Sequence, residues 1–155
     1  MSKKTIKAKT DVELLQFAAI REIQAKNFYT SIAQHCQDVD IREIFKMLAD
    51  EEVEHRKLLE LEMMKRGIVV DLEKKALEEF KTEEYVIASD KQLIDIDLKD
   101  LLMLCVEKED ASFRLYVSML AAVTDPASRE VLFAVAQEEV KHKLRFQGEL
   151  DELMK

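Results

Sequence analysis

Ala49-Asp50-Glu51-Glu52-Val53-Glu54-His55 is answered 87 residues later by Ala136-Gln137-Glu138-Glu139-Val140-Lys141-His142. The two stretches share the alanine, the paired glutamates, the valine and the histidine at one spacing, with no insertion or deletion between them. Residues at i and i+3 lie on one helix face, so each Glu-x-x-His sets a carboxylate beside an imidazole. The same offset carries Glu22 to Glu109, Tyr29 to Tyr116, Asp38 to Asp125 and Arg42-Glu43 to Arg129-Glu130. A true internal repeat brings its scaffold along with its chemistry. One glutamate from each of two helices, and Glu-x-x-His from each of two others, is the ligand set of a two-metal centre inside a four-helix bundle.

The rest of the chain agrees with an all-helical reading. At 155 residues, 48% hydrophobic and 36% charged, it suits a single globular domain with a real core. Two glycines and one proline leave little turn material, which favours a few long helices over many strands. A net charge of -8 repels phosphate backbones and acidic membrane surfaces, so nucleic acid is excluded as an expected partner. No apolar run approaches the roughly 18 residues of a membrane span, and the basic start Met1 to Lys7 leads into no apolar signal region. A cytoplasmic protein is expected. Cys36 and Cys105 have no C-x-x-C context, so they are read as small core residues.

Four long helices follow from caps and period. Thr10-x-x-Glu13 is a capping box that opens a helix from about Asp11 to Gln37. Asp38 caps the second, which ends near Gly67. A third begins after Asp97 and fades near Val123, and Asp125-Pro126 opens a fourth that runs to the C-terminus. Short links make each pair an antiparallel hairpin. The intervening stretch, with a short helix over Asp71 to Phe80, is long enough to travel back along the bundle. The expected organisation is a tail over 1–9 and a ferritin-like bundle over 10–155, made of repeat 1 at about 10–67, a crossover over 68–97 and repeat 2 at about 98–155.

Alternating steps of three and four residues give each helix an inward stripe. The first reads Leu15, Ala18, Glu22, Ala25, Tyr29, Ile32, Cys36, and the second Ile41, Phe45, Leu48, Glu52, His55, Leu59. The third reads Leu98, Leu102, Cys105, Glu109, Ser112, Tyr116, Met119, Val123, and the fourth Leu132, Val135, Glu139, His142, Phe146. All six candidate ligands fall on these stripes. Glu22 lies 16 residues before Asp38, with Glu52 and His55 14 and 17 after it, and the same counts hold around Asp125. At about 1.5 Å of rise per residue, the six meet at one level.

Unpaired carboxylates in an apolar core cost several kcal/mol, of the order expected for buried ions, and two divalent cations compensate four of them directly. Glu52 and Glu139 are placed to bridge, Glu22 and Glu109 to bind terminally, and His55 and His142 to complete the sites. Oxygen-rich ligation with one histidine per metal suits iron, or manganese, better than zinc. Tyr29 and Tyr116 read as core aromatics that can also hydrogen-bond a ligand carboxylate or quench an oxidising intermediate. Glu51 and Glu138 read as facing solvent or a neighbouring helix, with an outer role toward the site as the alternative. His35 lies off the stripe and reads as a surface residue, and the methionines as core or interface filler.

Glu22 with Tyr29, Glu52-x-x-His55, Glu109 with Tyr116, and Glu139-x-x-His142 together resemble the rubrerythrin branch of the ferritin-like superfamily, over about residues 10 to 150. The resemblance implies a non-haem di-iron centre, oxidised from diferrous to diferric by hydrogen peroxide or dioxygen, with electrons returned by a separate donor. It also implies a homodimer. Two departures stand out. Many rubrerythrins append an iron module held by four cysteines, for which this chain has none, so the expected electron donor is another protein. Peroxidase-type members resemble one another in an extra glutamate one turn after the third-helix ligand, where this chain has Ser112, so the resemblance does not by itself imply efficient peroxide turnover. Three readings stay open: a peroxide- or dioxygen-reducing oxidoreductase, an iron-handling protein that binds and oxidises Fe(II), and a helical interaction module with a vestigial site.

Overall fold

The computed structural model describes residues 10–78 and 96–155. The expected tail over 1–9, and the part of the crossover over 79–95 with the end of the Asp71 to Phe80 helix, lie outside the described residues. Among the described residues five helices follow in order: α1 Asp11–His35, α2 Val39–Lys65, α3 Leu72–Glu78, α4 Leu98–Ala122 and α5 Pro126–Leu153. No strand occurs among the described residues.

Helix ends obey the repeat as closely as the motifs do. α1 and α4 are each 25 residues long and start 87 residues apart, as α2 and α5 do. Their caps are supplied by short polar side chains that satisfy otherwise orphaned amides. Thr10 Oγ1 accepts from the Glu13 amide at 3.2 Å while the Glu13 carboxylate accepts from the Thr10 amide, also at 3.2 Å. Asp38, Asp97 and Asp125 accept from the amides of Ile41, Asp100 and Ser128 at 3.1, 2.8 and 2.9 Å. α2 stops at Gly67, whose φ of 75° is open to glycine at little cost. Its amide bonds the Met64 carbonyl and that of Ile68 the Met63 carbonyl, the paired bonds of a Schellman ending.

Two apolar clusters give the packing order. One joins the first half of α1 (Leu14 to Ile23), the end of α2 (Leu59, Met63), α3 (Leu72, Ala76), the end of α4 (Leu115 to Met119, with the cap Val123) and the start of α5 (Leu132 to Ala136). The other joins the end of α1, the start of α2, the start of α4 and Phe146 of α5. α1 and α2 are therefore antiparallel, as are α4 and α5, and α1 runs antiparallel to α4. The chain passes from one end of the bundle to the other between α2 and α4. The candidate ligands form a polar layer between the two clusters.

Locks at one end fix the hairpins to each other. The Asp11 carboxylate accepts from the amides of Thr124 and Asp125 at 3.0 and 2.8 Å and from the Thr124 hydroxyl at 2.8 Å. Arg66, at the end of α2, pairs with Asp125 at the α4–α5 turn. Arg56 of α2 reaches Glu60 at 2.7 Å and Glu73 of α3, pinning the short helix.

The inward stripes are buried nearly throughout, with two departures at helix ends. Leu98 is half-buried, and so is Cys36, the residue that ends α1. Cys36 was expected in the core, but its Sγ lies 3.6 Å from the Asp38 carbonyl at the turn, whereas Cys105 is fully buried. α1 also buries Leu14, Ala19, Ile20, Ile23 and Phe28 beyond its stripe; the first four share a cluster with Leu72 and Ala76 of α3, and Phe28 packs beside Tyr29 in the other. Met63 is buried and Met64 exposed, as their positions across the helix end require.

Candidate metal centre

The Glu-x-x-His segments sit near the middle of α2 and α5, flanked by good helix formers and several turns from either cap. Glu22 and Glu109 sit at the same depth on α1 and α4. All six side chains are at most 6% exposed. The structure brings them into two overlapping groups of four, Glu22, Glu52, His55 and Glu139, and Glu52, Glu109, Glu139 and His142, and a group of three, Glu52, His55 and His142, that spans them. Within each group, one ligand-type atom per residue lies within 4.8 Å of all the others. Glu52 and Glu139 belong to both groups of four, while Glu22 with His55 and Glu109 with His142 belong to one of those each.

Both imidazoles turn Nδ1 toward the carboxylates. His55 Nδ1 lies 3.3 Å from Glu52, 3.6 Å from Glu22 and 3.8 Å from Glu139. His142 Nδ1 lies 3.3 Å from Glu52 and 3.7 Å from Glu109. The rings stack across the layer at 5.7 Å between centroids, with planes 23° apart.

Each tyrosine serves the other repeat. Tyr116 donates to Glu22 Oε1 at 2.6 Å, and Tyr29 donates to Glu109 Oε1. Seven residues separate each tyrosine from the glutamate of its own helix, about 10.5 Å along the axis. Helical side chains lean toward the N-terminus, so each ring slopes back to the ligand level and meets the facing antiparallel helix. Sequence spacing shows the two-turn separation but not the exchange of partners. Tyr29 also packs against Phe28, Phe45 and Phe146 at 5.6 to 5.9 Å, whereas Tyr116 lies in the aliphatic cluster.

Hydrogen bonding sorts the carboxylates. Glu22 and Glu109 each give one oxygen to a tyrosine and leave Oε2 buried without a partner. Glu52 and Glu139 leave both oxygens buried without a partner, and His55 and His142 leave Nδ1 so. Buried polar atoms are nearly always satisfied, so eight such atoms in one layer fit cations held between them. Two oxygens on each shared glutamate and one on each unshared glutamate match bridging and terminal ligands.

The side chains alone balance charge with protons. Burial, helped by the Glu22 charge, pushes Glu52 up to about 8. Burial and the charges of Glu109, Glu52 and Glu22 push Glu139 well above the usual carboxylate range. For Glu22 burial acts upward but is outweighed by His55 and Tyr116, which bring it down to about 2. Burial would lower both histidines, but their carboxylate neighbours win and raise His55 to about 10 and His142 to about 9. Such paired and displaced titrations mark a site built for charge.

Three further residues have definite partners, and only His35 departs from its expected place. Glu51 turns to His142 Nε2, at 2.8 Å, because α5 packs beside α2 at this level. Glu138 bonds Lys141 on its own helix at 3.0 Å. His35, expected on the surface, is half-buried, with Nδ1 2.8 Å from the Ser31 carbonyl. Together with Cys36 and Arg42 it lines a cavity of about 700 Å³ at the α1–α2 turn, which shares no residue with the ligand layer.

The sequence pattern of the rubrerythrin family matches residues 13–150. The chain belongs to the rubrerythrin family. No curated protein matches it at a significant level. Among solved structures it resembles a protein of Pyrococcus furiosus with 22% identity and a TM-score of 0.62, covering 94% of this chain and 91% of that one. It also resembles a ferritin-like diiron-carboxylate protein of Thermotoga maritima, with 18% identity, a TM-score of 0.68 and coverage of 93% and 96%. A manganese catalase of Anabaena matches with 17% identity and a TM-score of 0.68, covering 96% of this chain and 75% of its own. These likenesses establish a ferritin-like helical fold for this rubrerythrin-family chain, and the geometry supplies a candidate carboxylate and histidine centre for two metals. Among the described residues no helix is long and apolar enough to cross a membrane.

Proposed function

We propose that this chain is a non-haem dimetal oxidoreductase that reduces hydrogen peroxide, or dioxygen, with electrons from a separate donor protein. The observation that carries the reading is the sorting of unpartnered atoms: both oxygens of Glu52 and Glu139, one of Glu22 and Glu109, and Nδ1 of His55 and His142. Glu52 and Glu139 would be shared between two metals, Glu22 and His55 would complete one position, and Glu109 and His142 the other. Bound metal supplies the redox couple and Lewis acid for reduction of peroxide to two waters, which takes two electrons and two protons. Hard oxygen ligands with one imidazole each favour iron, with manganese as the second candidate, and a ferritin-like diiron protein and a manganese catalase both share the fold. Tyr29 and Tyr116 hold the terminal carboxylates by one oxygen so that the other faces the metal. The two apolar clusters exclude bulk water from either side of the layer. A separate donor is part of the reading because Cys105 is fully buried and stands apart from Cys36 in sequence, with no cysteine pair spaced for a cluster. We take the working unit to be a cytoplasmic homodimer.

Ser112 supports a second reading. It is buried one turn after Glu109, so no fifth carboxylate stands there to exchange with a ligand, as an iron-handling protein without repeated turnover would allow. Anaerobic Fe(II)-loaded protein mixed with peroxide in a stopped-flow separates the two. Fast oxidation that repeats after each addition of reductant is expected for the oxidoreductase. A single slow oxidation would favour iron handling, and no oxidation above free Fe(II) would refute both.

A further inference from the structure

The repeat predicts that whatever holds His142 also holds His55. Glu51 precedes Glu52, and its counterpart Glu138 precedes Glu139. Only one of the two reaches across the bundle. Glu51 Oε2 lies 2.8 Å from His142 Nε2, on the ring edge away from the metal-facing Nδ1. Among the described residues Glu138 makes no such bond to His55, and pairs instead with Lys141 at 3.0 Å.

The cause is legible at one aligned position. Lys141 corresponds to Glu54. On α5 a cation three residues beyond Glu138 captures it within its own helix. On α2 the equivalent place holds Glu54, a like charge that offers Glu51 nothing and pairs with Lys57 at 3.2 Å. Glu51 is left to cross to α5.

A carboxylate on the outer nitrogen of a ligating histidine keeps the proton there, leaves the inner nitrogen free for metal, fixes the ring and raises its basicity. We propose that Glu51 is a positioning residue for His142 and that its one-sided action makes the two halves of the centre unequal, the half with Glu109 and His142 binding metal more tightly than the half with Glu22 and His55. The inference deepens the dimetal reading and rests on it. Loss of such outer partners weakens metal binding about 10- to 100-fold, and that factor sets the expected separation between the two binding steps.

Calorimetric titration of the full-length protein with Mn(II) under nitrogen tests it. The wild type should show two resolved steps. Glu51→Gln should weaken the tighter step by about 10- to 100-fold. Glu138→Gln, the same charge change at the repeat-related position, should leave both steps in place. Lys141→Glu, which frees Glu138 to turn toward His55, should bring the weaker step toward the tighter one. In Co(II)-loaded protein, proton NMR should show one shifted imidazole N–H whose exchange with water speeds up in Glu51→Gln and not in Glu138→Gln, a change that general loosening would not confine to one ring. Equal effects of Glu51→Gln and Glu138→Gln, or a Glu51→Gln effect confined to the weaker step, would overturn the inference and leave the dimetal reading standing. A wild type that binds no Mn(II) would overturn both.

Discussion

Glu52 and Glu22 differ in one geometric respect that a melting curve can read: Glu52 belongs to every ligand group and Glu22 to one. Metal that binds only the folded state stabilises it by about 2.7 kcal/mol per site at a free concentration of 100 Kd. Two sites then give about 5 kcal/mol, and at roughly 2–4 °C per kcal/mol for a chain of this size the melting temperature should rise by about 10–20 °C. Glu52→Gln removes a ligand from both positions and should abolish most of that rise. Glu22→Gln, which touches only the weaker half, should abolish no more than about half. Each variant is its own reference with and without Mn(II), so any change in the metal-free fold, expected for Glu22→Gln because the Glu22 charge is paired with His55, drops out of the comparison. Circular dichroism at 222 nm, with and without Mn(II), measures all three proteins. Equal losses in the two variants, or no rise in the wild type, would refute the assignment of shared and unshared glutamates.

Other consequences are as direct. Tyr116→Phe leaves Glu22 Oε1 buried without its 2.6 Å donor and should cost about 1–3 kcal/mol, read by urea unfolding. Because Glu52, His55 and His142 hold protons at neutral pH, metal uptake must displace them; Mn(II) binding at pH 7 should release more than one proton per chain into weak buffer, and affinity should rise with pH. Asp11 is held below its usual range: burial acts upward, but the bonds from Thr124 and Asp125 outweigh it. A depressed carboxylate stabilises the fold above its unfolded pKa and loses that contribution as pH falls through the folded value. Asp11→Asn should therefore cost about 1–2 kcal/mol at pH 7, and the difference from wild type should shrink below pH 4.

Periodicity reads one face of a helix, and that limit separates what the sequence displays from what it hides. Glu22, Glu52, His55, Glu109, Glu139 and His142 share the stripe that also carries Phe45, Leu48 and Phe146, so their burial could be read directly. The caps Thr10, Asp38, Asp97 and Asp125 were legible because each is a short polar side chain ahead of a long apolar period. Ile20 and Ile23 lie off the stripe and are buried in the cluster that α3 joins, and Phe28 in the other cluster, which are tertiary facts. The partner exchange of Tyr29 and Tyr116 depends on α1 and α4 running antiparallel, which local spacing does not encode. Glu51 and Glu138 look alike in the repeat, and only the neighbours Glu54 and Lys141 in a packed bundle tell them apart.

Anomalous diffraction from crystals loaded with Mn(II) without oxygen tests the central claim most directly. Two peaks are predicted inside the bundle, about 3.5–4 Å apart as in two-metal sites, both touching Glu52 and Glu139, one beside Glu22 and His55 and the other beside Glu109 and His142. An interior without anomalous density, or a single ion that leaves one of those pairs unengaged at saturating metal, would contradict the account.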